Sequence, residues 1–507
     1  VGQSKTPHSN YYSSAGDGSL RQTTTSNAGK NIGPGVTFAS PYPFAAGTTV
    51  LPDGAEDKVN AMRFDLEYRL GDHTLRGGID SVKLSSKNAG EYELGGGLIT
   101  YYRTTNPNAA PGGGANLMSV SQGNALYDGT YYYYGRERIF NDVTKAKSNQ
   151  SAQYIEDKWQ ITKSLAITGG LRNEQYENKN GDGETFLKME NQLNPRLSFT
   201  WDALGDGSTK IFGSAGRYMV QIPTHLAVRG ASRSTLTNRY FTYTGVDANG
   251  QPTGVTDISS VYSPDGEFGQ AKDAKTVAAL DLKPNAQNEF RLGIEQALSE
   301  ELMVGGTVTY RRLTSTIDDF CDYRPFVQYA ADNNINTDNW AGFSCASFNP
   351  GKDATFLVDY AGDGTYTKVH LTKEQLGFPS AKRTYFAVDL YAEHPMKDGW
   401  YGRVNYTFSQ NKGNTEGQTL SDVAQTDVSA TQTWDFHEIM DYSYGYLPGD
   451  RKHQIKAIGI VELTPEFDLG ANLLIASGRP KNCIGNYGGT STDYIDYGAA
   501  FHYCSYD

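Results

Sequence analysis

Long apolar runs are absent from this chain. The best stretch, Ala457 to Val461, is five residues, against the roughly 20 that a membrane helix needs. Cysteine (4) and methionine (7) are scarce. Leucine is sparse, so helices have little to build on. Positive charge is also in short supply: the formal net charge of −12 gives no support to nucleic-acid binding, which normally needs a basic face. Val1 to Asn10 is polar and contains Pro7, which is not the pattern of a signal peptide. A hydropathy scan would pass such a chain as soluble. Such a scan overlooks barrels, whose strands show lipid only every second residue.

What the chain has in quantity is Gly (56), Tyr (35), Asn and Thr, a composition of strands and turns. Period-2 alternation recurs in pairs. Met62 to Leu70 places apolar residues at even positions and charged ones at every odd position, turns at Gly71-Asp72, and returns through Thr74 to Ile79. A second pair runs through Ile155, Asp157, Trp159 and Ile161, then Leu165, Ile167, Gly169 and Leu171. A third sets Leu193, Leu197, Phe199 and Trp201 against Asn194, Arg196, Ser198 and Thr200. Pairs four to six alternate over 289–310, 385–408 and 455–475. Two-faced strands joined by tight turns are antiparallel hairpins. About twelve strands are visible in this way.

Between hairpins the connections are long, at about residues 87–148, 179–190, 220–286, 313–382 and 411–451. Short and long connections alternate strictly. Compact soluble domains rarely tolerate several long structureless loops, whereas a transmembrane barrel has tight turns on one side and long extracellular loops on the other. Trp159, Trp201 and Trp400 each stand beside a short turn on the apolar face, where an interfacial aromatic belt belongs. The fold class read from these patterns is all-β, a large antiparallel transmembrane β-barrel. Residues 62–478 would form the six hairpins. Residues 1–61 would be an extracellular loop or strand extension, and 479–507 a disulfide-containing extracellular loop.

Several segments resemble the TonB-dependent receptors of Gram-negative outer membranes. Tyr154 to Ile161 followed by Leu165 to Arg172, and Asn194 to Ser198 followed by Ile211 to Tyr218, are similar to the recurring barrel signature of that family. Leu447 to Gln454 and Ala476 to Pro480 resemble its Oar-like, OmpA-related branch. The resemblance implies a 22-stranded barrel, a plug domain, and a TonB box that couples transport to the inner membrane. No plug-like segment stands in this sequence, which reads as the middle part of such a barrel. The implied function is energised uptake of a peptide, protein or glycan. The alternative is a passive porin or a surface adhesin. Implied partners are outer-membrane lipid and lipopolysaccharide, the TonB complex, and a surface lipoprotein or a peptide or protein ligand.

The four cysteines all fall in the expected loops. Cys321 and Cys345 share one segment, and Cys483 and Cys504 share the last. Export into an oxidising compartment favours pairing within each segment, although four cysteines allow three connectivities and free thiols are the other reading. Asp332, Asn334, Asn336 and Asp338 imitate the start of a calcium loop. However, Thr337 stands where Gly is expected and Phe343 where Glu is expected, so a solvated turn is favoured over a metal site. Asp359 with Asp363, and Asp182 with Glu184, are weaker versions.

Catalytic motifs do not occur. His437-Glu438 lacks the second His of a zinc-protease helix, since Asp441 stands there. Gly213 to Gly216 lacks the nucleophile-elbow frame. The expected substrate contacts are aromatic: Tyr131, Tyr132, Tyr133 and Tyr134, the stripe Tyr442, Tyr444 and Tyr446, and Trp434, with Trp340 in a similar setting. Such side chains give broad amphipathic contact at low entropy cost, but Tyr-rich strand extensions are often merely structural. Arg196, Arg291 and Arg403 are expected to face the lumen, to orient a plug or anionic substrate or to balance neighbouring carboxylates.

Overall fold

A computed structural model describes residues 2–8, 22–25, 33, 49–111, 114–263, 266–423, 425, 427–485 and 502–503. All twelve expected strands form, and one more joins them. The wall starts with β1 (Gly2–Pro7), which pairs with β2 (Glu56–Leu70). It continues through β3 (His73–Ala89), β4 (Thr144–Gln160), β5 (Leu165–Lys179), β6 (Thr185–Asp202) and β7 (Thr209–Met219). The second half is β8 (Ala286–Ser299), β9 (Leu302–Ser315), β10 (Arg383–Lys397), β11 (Trp400–Gly413), β12 (His453–Thr464) and β13 (Phe467–Ala476). Each strand pairs antiparallel with its neighbours in the chain, and the short strand Gly445–Tyr446 lies beside β11. β1 is the element that alternation missed: Gly-Gln-Ser-Lys-Thr-Pro is polar throughout. The described path ends on two unpaired edges, β1 and β13.

Turn chemistry fixes the register at the short-connection end. Lys397 pairs with Trp400 across Asp398 and Gly399, both at positive φ (51° and 79°), as a type I′ turn requires. Leu70 pairs with His73 across Gly71, whose φ of 58° suits the first position of a II′ turn.

One face of the wall is apolar and uncovered. Phe64 (62% exposed), Leu66 (66%), Leu292 (57%) and Leu473 (54%) are exposed to the same degree as surface lysines would be. A protein in water does not leave a face of this extent bare. The opposite face is polar and tied across strands. Arg172 donates to both carboxylate oxygens of Asp80 at 2.6 and 3.0 Å and to Glu174 at 2.7 Å. Glu174 also accepts from Tyr176 and Asn194.

The long connections are folded, which their Gly- and Asn-rich composition concealed. They build a cap with its own seven-stranded sheet, which includes Leu98–Thr104, Tyr132–Asn141 and Thr235–Thr242. Three helices join it: α1 (His225–Ala231), α2 (Arg324–Asp332) and α3 (Lys373–Leu376). The buried apolar core lies in this cap and at its junction with the wall. Phe320, Phe326, Phe348, Phe356, Phe378 and Trp434 form one cluster. Each such buried ring contributes on the order of 1.5–3 kcal/mol. A second cluster sets Ile222, Leu226 and Val228 against Ala146, Tyr176 and Met189 of the wall. Ser148 Oγ donates to Ile222 O at 2.5 Å and Asn178 Nδ2 to Pro223 O at 2.9 Å. The segment before and through α1 therefore lies on the polar, inner face of β4 and β5.

Candidate functional site

The aromatic residues expected to meet a substrate all lie in the cap, and pleating sorts them. Within Tyr132–Asn141 successive side chains point to opposite faces. Tyr133 turns inward, 2% exposed, and joins Ile99, Tyr101, Phe241 and Tyr243 in a third cluster. Its hydroxyl donates to Asp128 at 2.6 Å. Tyr131 packs under the Arg103 guanidinium at 4.3 Å.

The other face carries an array of rings. Tyr134 stacks on Tyr102 at 5.2 Å, both lie 6.3 Å from Tyr240, and Tyr240 stacks on Tyr262 at 6.4 Å. Tyr132 stacks on Tyr127 at 4.4 Å. Burial and the neighbouring phenols push the Tyr134 hydroxyl up to about 12, so the array is neutral at physiological pH. Register places Arg136 on this same face, opposite Thr100 and Tyr240. Its Nε is buried with no hydrogen-bond partner among the described residues. Tyr102, Tyr240 and Tyr262 are array members that the sequence did not single out. They are distant in the chain, and only strand pairing brings them together.

Tyr442, Tyr444 and Tyr446 come together around a second feature, a cavity of about 500 Å³ also lined by Trp434, Glu416 and Lys481. Tyr442 (65%) and Tyr444 (58%) are open to solvent. Tyr446 lies between two ammonium groups, Lys412 at 4.4 Å and Lys452 at 4.3 Å, and the Lys412 hydrogen bond pulls its phenol below the ordinary range. Trp434 belongs to the Phe cluster instead, 1% exposed, so it supports the cavity rather than offering a free ring.

Several ionic groups of the cap are mutually engaged. Asp322, His437 and Glu438 converge with their ligand atoms within 4.8 Å of one another. The cation among them is Arg324, which donates to Asp322 at 2.5 Å and Glu438 at 2.8 Å. The calcium-like run is local turn structure: Asp332 accepts from Gln328, and Asn336 Oδ1 accepts from Asp338 N. Asp359 accepts from the backbone N–H groups of Gly362, Asp363 and Gly364, and Asp182 lies 3.6 Å from Arg233. The Cys321–Cys345 disulfide is present. Cys483 is disulfide-bonded as well, while Cys504 lies outside the described residues.

In the wall, Trp159, Trp201 and Trp400 stand on the apolar face beside the short turns, 41–44% exposed. Trp400 is stacked on His394 at 3.6 Å and Trp159 on His73 at 5.3 Å. Of the inner-face arginines, Arg403 pairs with Glu393 at 2.9 Å and lies over Tyr391. Arg196 lies over Tyr218, and Arg291 lies 6.0 Å from the centre of the Phe212 ring.

Residues 2–226 match the family model described as TonB dependent receptor-like, beta-barrel. This part of the chain is similar to the β-barrel of TonB-dependent receptors. Beyond it, the chain is 25% identical over 457 residues to the TonB-dependent transporter Oar of Myxococcus xanthus, covering 85% of this chain and 38% of that protein. The chain thus spans well under half of the curated relative it matches. Solved structures that align include the FrpB iron transporter of Neisseria meningitidis (9% identity, TM-score 0.39, 85% of this chain and 52% of that one). The alcaligin outer membrane receptor FauA of Bordetella pertussis also aligns (10%, 0.33, 85% and 52%). The TonB-dependent resemblance read from Tyr154 to Arg172 and Asn194 to Tyr218 falls inside the matched region. The relatives are named as transporters and receptors, not as enzymes.

Proposed function

We propose that the chain is part of an outer-membrane, TonB-dependent transporter of the Oar-like type. The observation that carries the membrane part is the continuous exposed apolar face of β2 to β13, backed by a polar face laced with charge pairs. Lipid covers the first and a wet lumen the second. The short turns and their three tryptophans then lie at the periplasmic interface, and the cap is extracellular. Unpaired β1 and β13 edges cannot face lipid, because each bare N–H and C=O there costs several kcal/mol. Further strands of the protein therefore pair with them. A plug and a TonB box, which energised uptake requires, would come from the portion of the protein outside this sequence.

The substrate meets the cap. The half-buried tyrosine array around Arg136 and the open Tyr442–Tyr444 rim offer flat rings and phenol groups, which suit an extended glycan, peptide or protein segment rather than a bare ion. A passive porin or a surface adhesin anchored by the same wall is the competing reading. Intact mass and N-terminal peptide mapping of the native protein decide between them: a plug-bearing segment ahead of Val1 supports energised uptake, and its absence removes it. Uptake assays on Tyr134→Ala and Tyr442→Ala test the contacts. The reading expects lower uptake with unchanged stability for Tyr442→Ala, and equal uptake would exclude that surface.

A further inference from the structure

We propose that the tyrosine array binds a sugar-acid residue of a glycan, with Arg136 on its carboxylate, Asn238 on a hydroxyl group and the phenol rings along its C–H faces. This rests on the reading of the array as a substrate contact and narrows it to one class. Strand register lays the site out as a grid. One face of the cap sheet carries three rows about 7 Å apart. They read Tyr102, Tyr134 and Thr242, then Thr100, Arg136 and Tyr240, then Leu98, Arg138 and Asn238. Tyr262 lies opposite Asn238 at the edge. Arg136 is therefore the central residue of the grid.

The grid carries an uncompensated charge. Arg136 is half-buried and its Nε is fully buried. Among the described residues it makes no hydrogen bond, ion pair or ring contact. A guanidinium holds five donors in a fixed fork, and leaving them unpaired in a poorly hydrated place is costly. The carboxylates nearby are committed elsewhere. Glu93 reaches this face, but one of its oxygens accepts from Arg138 Nε at 2.7 Å and the other from Phe140 N at 3.2 Å. Glu137 and Asp257 lie on the opposite face by register, and both pair with Arg239. Arg136 and Arg138 against Glu93 leave one positive charge over.

The side-chain oxygen of Asn238 is likewise buried without a partner, and it is an acceptor. The site thus asks for a singly charged anion at Arg136 and a donor at Asn238. A carboxylate on a hydroxylated ring supplies both: its two oxygens fit the guanidinium fork, and an O–H meets the amide oxygen. A phosphate would bring up to a second negative charge, which no cation of this face meets. The stacked pairs Tyr134–Tyr102 and Tyr240–Tyr262 offer flat contact area to a sugar ring. Burial keeps the Tyr134 phenol neutral, so it donates hydrogen bonds without repelling the anion. A peptide terminus shares the carboxylate, but only its side chains could meet four phenol rings, whereas a sugar acid presents C–H face, hydroxyl and carboxylate on one ring.

The test is isothermal titration calorimetry on the native protein in detergent. The probes are oligomers of galacturonate and of glucuronate, with their methyl esters and a peptide ending in a free carboxylate as comparisons. Wild type should bind one of the acids at least about tenfold more tightly than its ester, as loss of a charge-assisted hydrogen bond implies. That comparison needs no variant. Arg136→Gln should bring the acid down to the affinity of the ester and leave the ester unchanged. Arg136→Lys should fall between, since an ammonium lacks the planar fork. Heat-modifiable gel mobility and an unchanged proteolysis pattern of the cap report that each variant is folded. Equal affinity for acid and ester, or binding of neither, overturns the proposal, as does undiminished binding of the acid by folded Arg136→Gln. Tighter binding of the peptide would also overturn it and assign Arg136 to a peptide terminus. Native uptake separates this proposal from the reading beneath it. If Tyr134→Ala lowers uptake and Arg136→Gln does not, the array meets substrate but the sugar-acid assignment fails. If neither lowers it, the array is not a substrate contact at all.

Discussion

Arg229 donates through Nη1 to both carboxylate oxygens of Glu267, at 3.1 and 3.2 Å. Lys272 reaches the same carboxylate at 2.9 Å, and Asp427 lies 3.5 Å from Arg229 and 3.1 Å from His225. Two connections of the cap, 220–286 and 411–451, thus meet on one set of charges. Burial alone would raise the Glu267 carboxyl, but Arg229 and Lys272 outweigh it and hold it at about 2. Removing one partner strands the others, so Glu267→Ala should destabilise the cap by about 3–5 kcal/mol, read by denaturant unfolding.

The same charge carries a pH signature. A carboxyl held low in the fold contributes stability that is present above its unfolded value of 4.5 and lost as pH falls toward about 2. Cap unfolding followed between pH 5 and 2 should show this loss in wild type and a smaller one in Glu267→Gln. Identical slopes would mean that the pair contributes nothing.

Asp319 has the opposite sign. It is half-buried beside buried Asp318, and desolvation pushes its carboxyl up to about 7 against the pull of Arg229 and Lys272. The fold prefers it protonated, so wild type loses stability as pH rises from about 4 to 7 and no further above that. Asp319→Asn should gain on wild type across that window and hold a constant lead at pH 8. A lead that does not change with pH would reject this.

The Cys321–Cys345 bond ties Asp318–Phe320 to Ala346–Phe348. Closing a segment with a separation of 24 residues is worth roughly 3 kcal/mol in the chain-entropy model. Cys321→Ser with Cys345→Ser should lower cap stability by that order and speed proteolysis within residues 321–345. The heat-modifiable behaviour of the wall should persist. Equal proteolysis rates with and without the bond would show that the Phe cluster alone sets local stability.

Leu197 and Ser198 are neighbours on opposite faces of β6. Leu197→Arg should cost about 2–4 kcal/mol if lipid covers its face, and Ser198→Arg far less. Refolding into bilayers measures the difference. Similar costs at both positions would argue that water bathes both faces.

The wall was legible because its code is local. Each of Phe64, Leu66 and Tyr68 declares its face by parity alone, and Asp398-Gly399 declares its own turn. β1 escaped because a polar six-residue strand has no parity to read. The cap escaped for a different reason. Phe320, Phe348, Phe356 and Phe378 stand at no regular interval, and Tyr134 meets Tyr240 only through cross-strand register. Tyr131 to Tyr134 stood out as a run, yet pleating sends Tyr133 to the core and Tyr134 to the half-buried array. Trp434 lies in a polar stretch whose burial depends on rings more than 50 residues away. Periodicity cannot report partners chosen by tertiary packing.

That difference in range sets an order of assembly. Wall strands pair with their chain neighbours, so hairpins can form as soon as they are available. Cap bonds join Ser86 to Thr224, Arg324 to Glu438 and His225 to Asp427, across 138, 114 and 202 residues. Closing such distances is slow relative to adding a neighbouring strand. The cap is therefore the last part to lock, and its protection from protease marks the moment at which a growing wall has become a finished one.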